Sequence, residues 1–189
     1  MRKIVSHLII TLDGVVQFDA VADAVRRRRS QEVMYDFNAR LEEEDAMLLG
    51  RVTYQEWAEY WPESTYQPFA DHINGVQKYV ASTTLKTARW AKSDNIALLG
   101  DDVFAAVAAL KTKPGRNIGV HGSPRLAESL LHAGLLDELR LELYPVVAGT
   151  GTRLFREGGP SKQLHLAGAK PTRNGVVILT YQPVSKLPS

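Results

Sequence analysis

IGVHGSPRLAESLLHAGLLDELRLELY, residues 118–144, decides the fold. Ile118 to Val120 is a short apolar run, and Gly122-Ser123 closes it. Pro124 stands where a helix takes its first residue, because its missing N–H is not needed there. Leu126, Ala127, Leu130 and Leu131 then recur at helical spacing, and Gly134 sits where a left-handed cap ends a helix. Beyond it Leu139, Leu141 and Leu143 alternate with Arg140, Glu142 and Tyr144, which is the period of a strand. The unit is strand, turn, helix, strand, with a small-residue turn at its hinge. A helix start leaves backbone N–H groups unpaired and carries partial positive charge, so such a turn suits an anion.

The same unit recurs on both sides. Ile4 to Leu12 is apolar on both faces and reads as a central strand ending at Asp13-Gly14. Ala46 to Leu49 is a second buried strand, closed by Gly50-Arg51-Val52. Thr53-Tyr54-Gln55-Glu56 predicts a capping box with Thr53 as N-cap, and a helix running to about Trp61 before Pro62 stops it. Lys78 to Ala81 predicts a third strand ending at Ser82-Thr83, and Ile96 to Leu99 a fourth ending at Gly100-Asp101. The helix after it is expected to bury Val103, Phe104, Ala106, Val107 and Leu110. Between the first two strands, Ala20 to Arg29 is a helical candidate whose run Arg26 to Arg29 reads as a solvated face. Glu32 to Glu44 is a better helix, with Val33, Phe37 and Leu41 in line. At the far end Leu164–Leu166 and Val176–Tyr181 flank a turn at Arg173-Asn174-Gly175, and predict an antiparallel pair. The expected fold is α/β and three-layered. Its mostly parallel sheet is flanked by helices and ends in an antiparallel C-terminal strand pair. One domain spans 1–183, and 184–189 is expected to be a mobile tail.

Composition narrows the function. The 189 residues carry a net charge of +2 and no cysteine. The charge argues for neither nucleic acid nor membrane as partner. Absence of cysteine removes thiol catalysis and cysteine-ligated zinc, and fits a cytoplasmic protein. His7, Thr11 and Asp13 break up the first apolar run, so it is a strand rather than a signal peptide. The five histidines show no His-x-x-x-His spacing and no G-x-S-x-G occurs, so neither a metal site nor a serine nucleophile is expected. His121 reads as a packed strand residue and Asp36 as a solvated helix residue. In parallel sheets ligands bind outside the carboxyl ends of the strands. Here those ends carry Asp13-Gly14, Gly50-Arg51, Ser82-Thr83, Gly100-Asp101 and Gly122-Ser123, which suit phosphate and ribose.

Taken in order, T-L-D-G at 11–14, L-L-G-R-V-T-Y at 48–54, Y-V-A-S-T-T-L at 79–85, G-V-H-G-S-P-R-L-A at 119–127 and G-L-L-D-E-L-R-L-E-L-Y-P-V-V-A-G-T-G-T-R-L-F at 134–155 resemble the dihydrofolate reductase-like superfamily. Within it the likeness is to the C-terminal reductase domain of the bifunctional riboflavin-biosynthesis enzyme RibD. The resemblance implies hydride transfer from NADPH to a pterin-, pyrimidine- or ribityl-like small molecule. It implies that Gly50, Arg51 and Thr53 hold the cofactor, with Arg51 near the 2′-phosphate and Thr53 near the pyrophosphate. Ser82 and Thr83 would face the adenosine phosphate. Gly122, Ser123, Pro124 and Arg125 would meet the pyrophosphate. Asp13 would orient or protonate substrate. Relatives often carry arginine where Thr83 stands, so NADH is admitted beside NADPH. The alternative is a nucleotide-binding or sensing protein without catalysis. A homodimer is compatible with either and is expected.

Overall fold

The computed structural model describes residues 1–17, 19, 22–91 and 93–184. The expected tail falls mainly on 185–189, outside the described residues. Eight strands form one sheet: β1 (Ile4–Thr11), β2 (Glu44–Gly50), β3 (Gln77–Ala81), β4 (Ile96–Leu99), β5 (Asn117–His121), β6 (Glu138–Tyr144), β7 (Leu164–Pro171) and β8 (Val177–Pro183). Their order across the sheet is β4-β3-β2-β5-β1-β6-β8-β7. Neighbours from β4 to β6 run parallel, and β8 pairs antiparallel with both β6 and β7. This is the sheet that the repeated strand–helix pattern and the helix-free C-terminal pair predict.

Six helices cover it: α1 (Ala22–Arg28), α2 (Gln31–Glu42), α3 (Arg51–Tyr60), α4 (Phe69–Gly75), α5 (Val103–Thr112) and α6 (Pro124–His132). None of the described helices is long and apolar enough to cross a membrane. Period-2 alternation sends Ile4, Leu8, Ile10, Ile118, Val120, Leu139 and Leu141 to one face, where Val107, Leu110, Ala127, Leu130 and Leu131 of α5 and α6 meet them. Each fully buried aliphatic of this kind contributes about 1.5–3 kcal/mol. The other face lies under α1 to α4, where Met47, Leu49 and Val80 meet Leu41, Tyr54, Phe69 and Ile73. Gly134 has φ +71°, the left-handed cap that ends α6.

The structure corrects three local expectations. α3 begins at Arg51 with Gly50 as its cap, so Thr53 lies inside the first turn and is buried rather than capping. Phe104 is 46% exposed, because the α5 stripe is Val103, Ala106, Val107 and Leu110, and residue 104 points about 100° away from it. Asp36 is not solvated: its carboxylate pairs with Arg40 Nε at 2.5 Å and its side chain is 21% exposed.

Lys78 shows how the second face handles charge. Its side chain is buried, and Nζ donates to the carbonyls of Ile73 (2.7 Å) and Val76 (2.8 Å) while lying over the Trp90 ring. The ammonium thus closes the end of α4, where carbonyls lack helical partners.

Candidate active site

β2, β3 and β5 are neighbours, so their carboxyl-end turns emerge side by side. Gly50 pairs with Ala81, which sets Arg51 beside Ser82. The β2–β5 register sets Met47 against Gly119, which carries Gly50 toward Gly122. A hydrogen bond fixes the last step: the Gly50 amide donates to Ser123 Oγ at 2.9 Å. The Ser123 hydroxyl is therefore spent on the neighbouring turn and makes no cap bond to its own helix. The residue before α3 is thus held by the residue before α6. The starts of α3 and α6 lie together, and neither has a side-chain cap. Their first-turn N–H groups have no carbonyl partner within the helix.

Gly122 is required at this junction. Its φ is +68°, and a Cβ there would come within 3.1 Å of Trp57 and 3.3 Å of the Thr53 methyl. Thr53 supports the turn from beneath. Arg51 is exposed, and its guanidinium donates to Gln55 Oε1 at 3.0 Å. Arg125 is half exposed and pairs with Glu128 at 3.3 Å. Ser82 Oγ accepts from the amides of Thr84 (3.2 Å) and Leu85 (3.1 Å), shaping its own turn, while Thr83 is exposed. Gly50, Arg51, Thr53, Ser82, Thr83, Gly122, Ser123, Pro124 and Arg125 thus occupy one edge of the sheet.

Asp13 follows β1, the parallel neighbour of β5, and its carboxylate is held by hydrogen bonds. Its carboxylate accepts from Thr11 Oγ1 (2.6 Å), the Gly149 amide (2.9 Å) and the Ala148 amide (3.0 Å). Leu12 and Leu154 add backbone bonds to Val146 and Gly14. The T-L-D-G turn and the P-V-V-A-G-T-G loop are therefore stapled to each other. The Thr11 hydroxyl, then the two amides, lower the Asp13 carboxyl to about 2. It is ionised at neutral pH and has no proton to give. The stability it contributes is full above the unfolded value of about 4 and is lost as pH falls through about 2. Asp13→Asn should lower the thermal midpoint at pH 7, and the gap to wild type should close between pH 4 and 2. A gap independent of pH would show that the charge is not what holds the loop.

The inner face under α2 carries groups that sequence reading passed over. His7 and Ile9 are only half-buried although β1 is a central strand beneath helices, so this inner face is not fully covered. The Arg29 guanidinium stacks over the Phe37 and Tyr66 rings. Arg29 Nε and Tyr144 Oη are buried without a partner among the described residues. Glu142, paired in register with Ile9, is 8% exposed and accepts no hydrogen bond from the described residues. Burial pushes its carboxyl up, and this outweighs the opposing charges of Arg29 and Arg40. Polar groups left unmatched on an inner face mark a place for a polar ligand. A signal did exist in the sequence: Arg140, Glu142 and Tyr144 alternate with leucines in a strand that a three-layer fold covers on both faces. In such a strand the polar set must be interior.

A second polar group sits deeper. Glu44 Oε1 accepts from His121 Nε2 at 2.7 Å and lies 3.1 Å from His72 Nε2, and the His7 and His121 rings stack at 4.7 Å. Burial alone would raise the Glu44 carboxyl, but the neighbouring His121 and His72 prevail and hold it below the usual carboxylate range.

Sequence and fold both match a known family. The profile of the RibD C-terminal domain matches residues 2–178. The chain belongs to the RibD C-terminal domain family. It is 28% identical over 192 residues to YyaP, an uncharacterised protein of Bacillus subtilis (strain 168), covering 95% of this chain and 94% of that one. Among solved structures, a putative riboflavin biosynthesis protein from Shewanella sp. PV-4 superposes with a TM-score of 0.76 at 19% identity, over 97% of this chain and 99% of that one. Dihydrofolate reductase from Enterococcus faecalis, complexed with NADP(H) and RAB-propyl, gives a TM-score of 0.63 at 12% identity, with 97% of each chain covered. The fold is thus the dihydrofolate reductase-like sheet of the RibD C-terminal family.

Proposed function

We propose that the protein is a reductase that transfers a hydride from NADPH to a small pterin-, pyrimidine- or ribityl-like compound. The observation that carries this reading is the Ser123 hydroxyl on the Gly50 amide, which holds two uncapped helix starts together at one sheet edge. That arrangement suits a pyrophosphate, whose charge is met by backbone N–H groups and aligned peptide dipoles. Arg51, exposed beside it with one neutral partner among the described residues, has donors left for the 2′-phosphate. The dinucleotide, when bound, supplies the hydride; the chain supplies position and a proton.

On this reading the substrate lies on the incompletely covered inner face near His7, Ile9, Arg29 and Glu142. Reduction of a C=N or C=C bond takes up a proton beside the hydride. Glu142 fits that task better than Asp13, since burial keeps its carboxyl protonated to higher pH while hydrogen bonds keep Asp13 ionised. Arg29 and Tyr144 offer donors to a polar heterocycle or hydroxylated chain. The exposed edge strand β7 remains open to a second copy of the chain, in keeping with a homodimer.

Calorimetric titration with NADPH and NADH tests the reading. NADPH should bind, and Arg51→Ala should weaken NADPH by about 10- to 100-fold, the worth of a charge-assisted phosphate contact, with little change for NADH. Equal losses would remove Arg51 from the 2′-phosphate. Binding of neither nucleotide at millimolar concentration would sink the reductase. Binding without hydride consumption across the three substrate classes would favour a sensor.

A further inference from the structure

We propose that His7, Glu44 and His121, with His72 bracing the carboxylate, form a structural site for one zinc-type divalent ion just before the Gly122-Ser123 turn. Nothing in the local sequence announces it, because the four residues come from four elements. His7 and His121 are register partners on β1 and β5. Glu44 opens β2 at the point where the β2–β5 register shifts, and the bulge turns its side chain toward the histidines. His72 reaches down from α4.

Several observations make this more than a hydrogen-bonded cluster. The ligand atoms of His7, Glu44 and His121 lie within 4.8 Å of one another. Glu44 has a 1% exposed side chain, and its Oε2 has no partner among the described residues. His7 Nδ1 is likewise buried and unpartnered. A carboxylate buried this fully needs a compensating positive charge, and no lysine or arginine of the described residues forms an ion pair with it. The backbone is also cleared for it: a Cβ at Gly119 would lie 1.6 Å from Glu44 Oε2.

Two imidazole nitrogens and one carboxylate oxygen, completed by a fourth ligand such as water, suit a tetrahedral zinc or cobalt(II) ion, and are too nitrogen-rich for magnesium or calcium. Because His121 immediately precedes Gly122, the ion would tie β1, β2, β5 and α4 together beneath the cofactor turn. This inference stands apart from the reductase reading, since its measurements need neither nucleotide nor substrate.

The test uses the full chain after chelator treatment and dialysis, titrated with Zn²⁺ and with Co²⁺. One ion per chain should bind. Cobalt should give the intense visible d–d absorption of a four-coordinate site, which zinc then removes, and zinc should raise the thermal midpoint. Glu44→Gln, which keeps shape and hydrogen bonding, and His7→Ala, at a half-buried position, should each weaken zinc by at least about 100-fold. His165→Ala, on exposed β7, should bind as wild type does. A folded wild-type protein that takes up no ion would overturn the proposal, as would affinities unchanged in both Glu44→Gln and His7→Ala.

Discussion

Glu142→Gln should slow NADPH oxidation by about 100-fold or more at pH 7, the usual contribution of a positioned general acid. The amide keeps the shape and the hydrogen-bonding reach of the carboxyl but has no proton to release. NADPH affinity should not change, since Glu142 lies on β6, across β1 from the β2–β5 turns. The pH profile makes the test specific. In the wild type the rate should hold at low pH and fall as pH rises through the raised pKa of the buried carboxyl. In the variant that limb should vanish, leaving a low, flat rate. The measurement is single-turnover NADPH oxidation with the best acceptor from the pterin, pyrimidine and ribityl series. An unchanged rate with the limb intact would assign the proton to another group.

Gly119→Ala should destabilise the protein by about 3–5 kcal/mol, although it adds one methyl group to a central strand. The new Cβ would lie 1.6 Å from Glu44 Oε2, 2.6 Å from Glu44 Cδ and 2.8 Å from His121 Nε2. The carboxylate cannot swing aside cheaply, because His121 and His72 both hold Oε1 within a buried site. Moving it breaks those contacts and strands a buried charge. Urea unfolding measures the cost. In a Glu44→Ala background the obstacle is gone, and Gly119→Ala should then cost less than about 1 kcal/mol. Equal costs in the two backgrounds would mean that the strain lies in the strand backbone instead.

The two variants probe what the one-dimensional pattern conceals. The turns were legible because their chemistry is local: Gly122, Ser123 and Pro124 spell a turn and a helix start, as Gly50 and Arg51 do, and each depends on neighbours in the chain. The bond between the turns was not legible. Ser123 reads as part of a turn until the sheet order brings Gly50 to its hydroxyl, and Thr53 reads as a cap although α3 starts at Arg51. Asp13 was recognised as a turn residue. Its use as an ionised brace depends on amides more than a hundred residues away.

The sequence by itself determined the architecture of this protein. Apolar periodicity and glycine punctuation act over a few residues, and they suffice to set strands, helices, the parallel body and the antiparallel finish. They also placed the phosphate-suited turns at strand ends. The tertiary structure alone decided which polar side chains share the interior. Glu142 meets Arg29, and Glu44 meets three histidines, only because strands distant in sequence become neighbours in the sheet. Burial changes what those groups are: it keeps a proton on one carboxyl, while adjacent imidazoles hold the other ionised. Desolvation and long-range pairing have no signature in local spacing, which is why the chemistry of the interior emerges only with the fold.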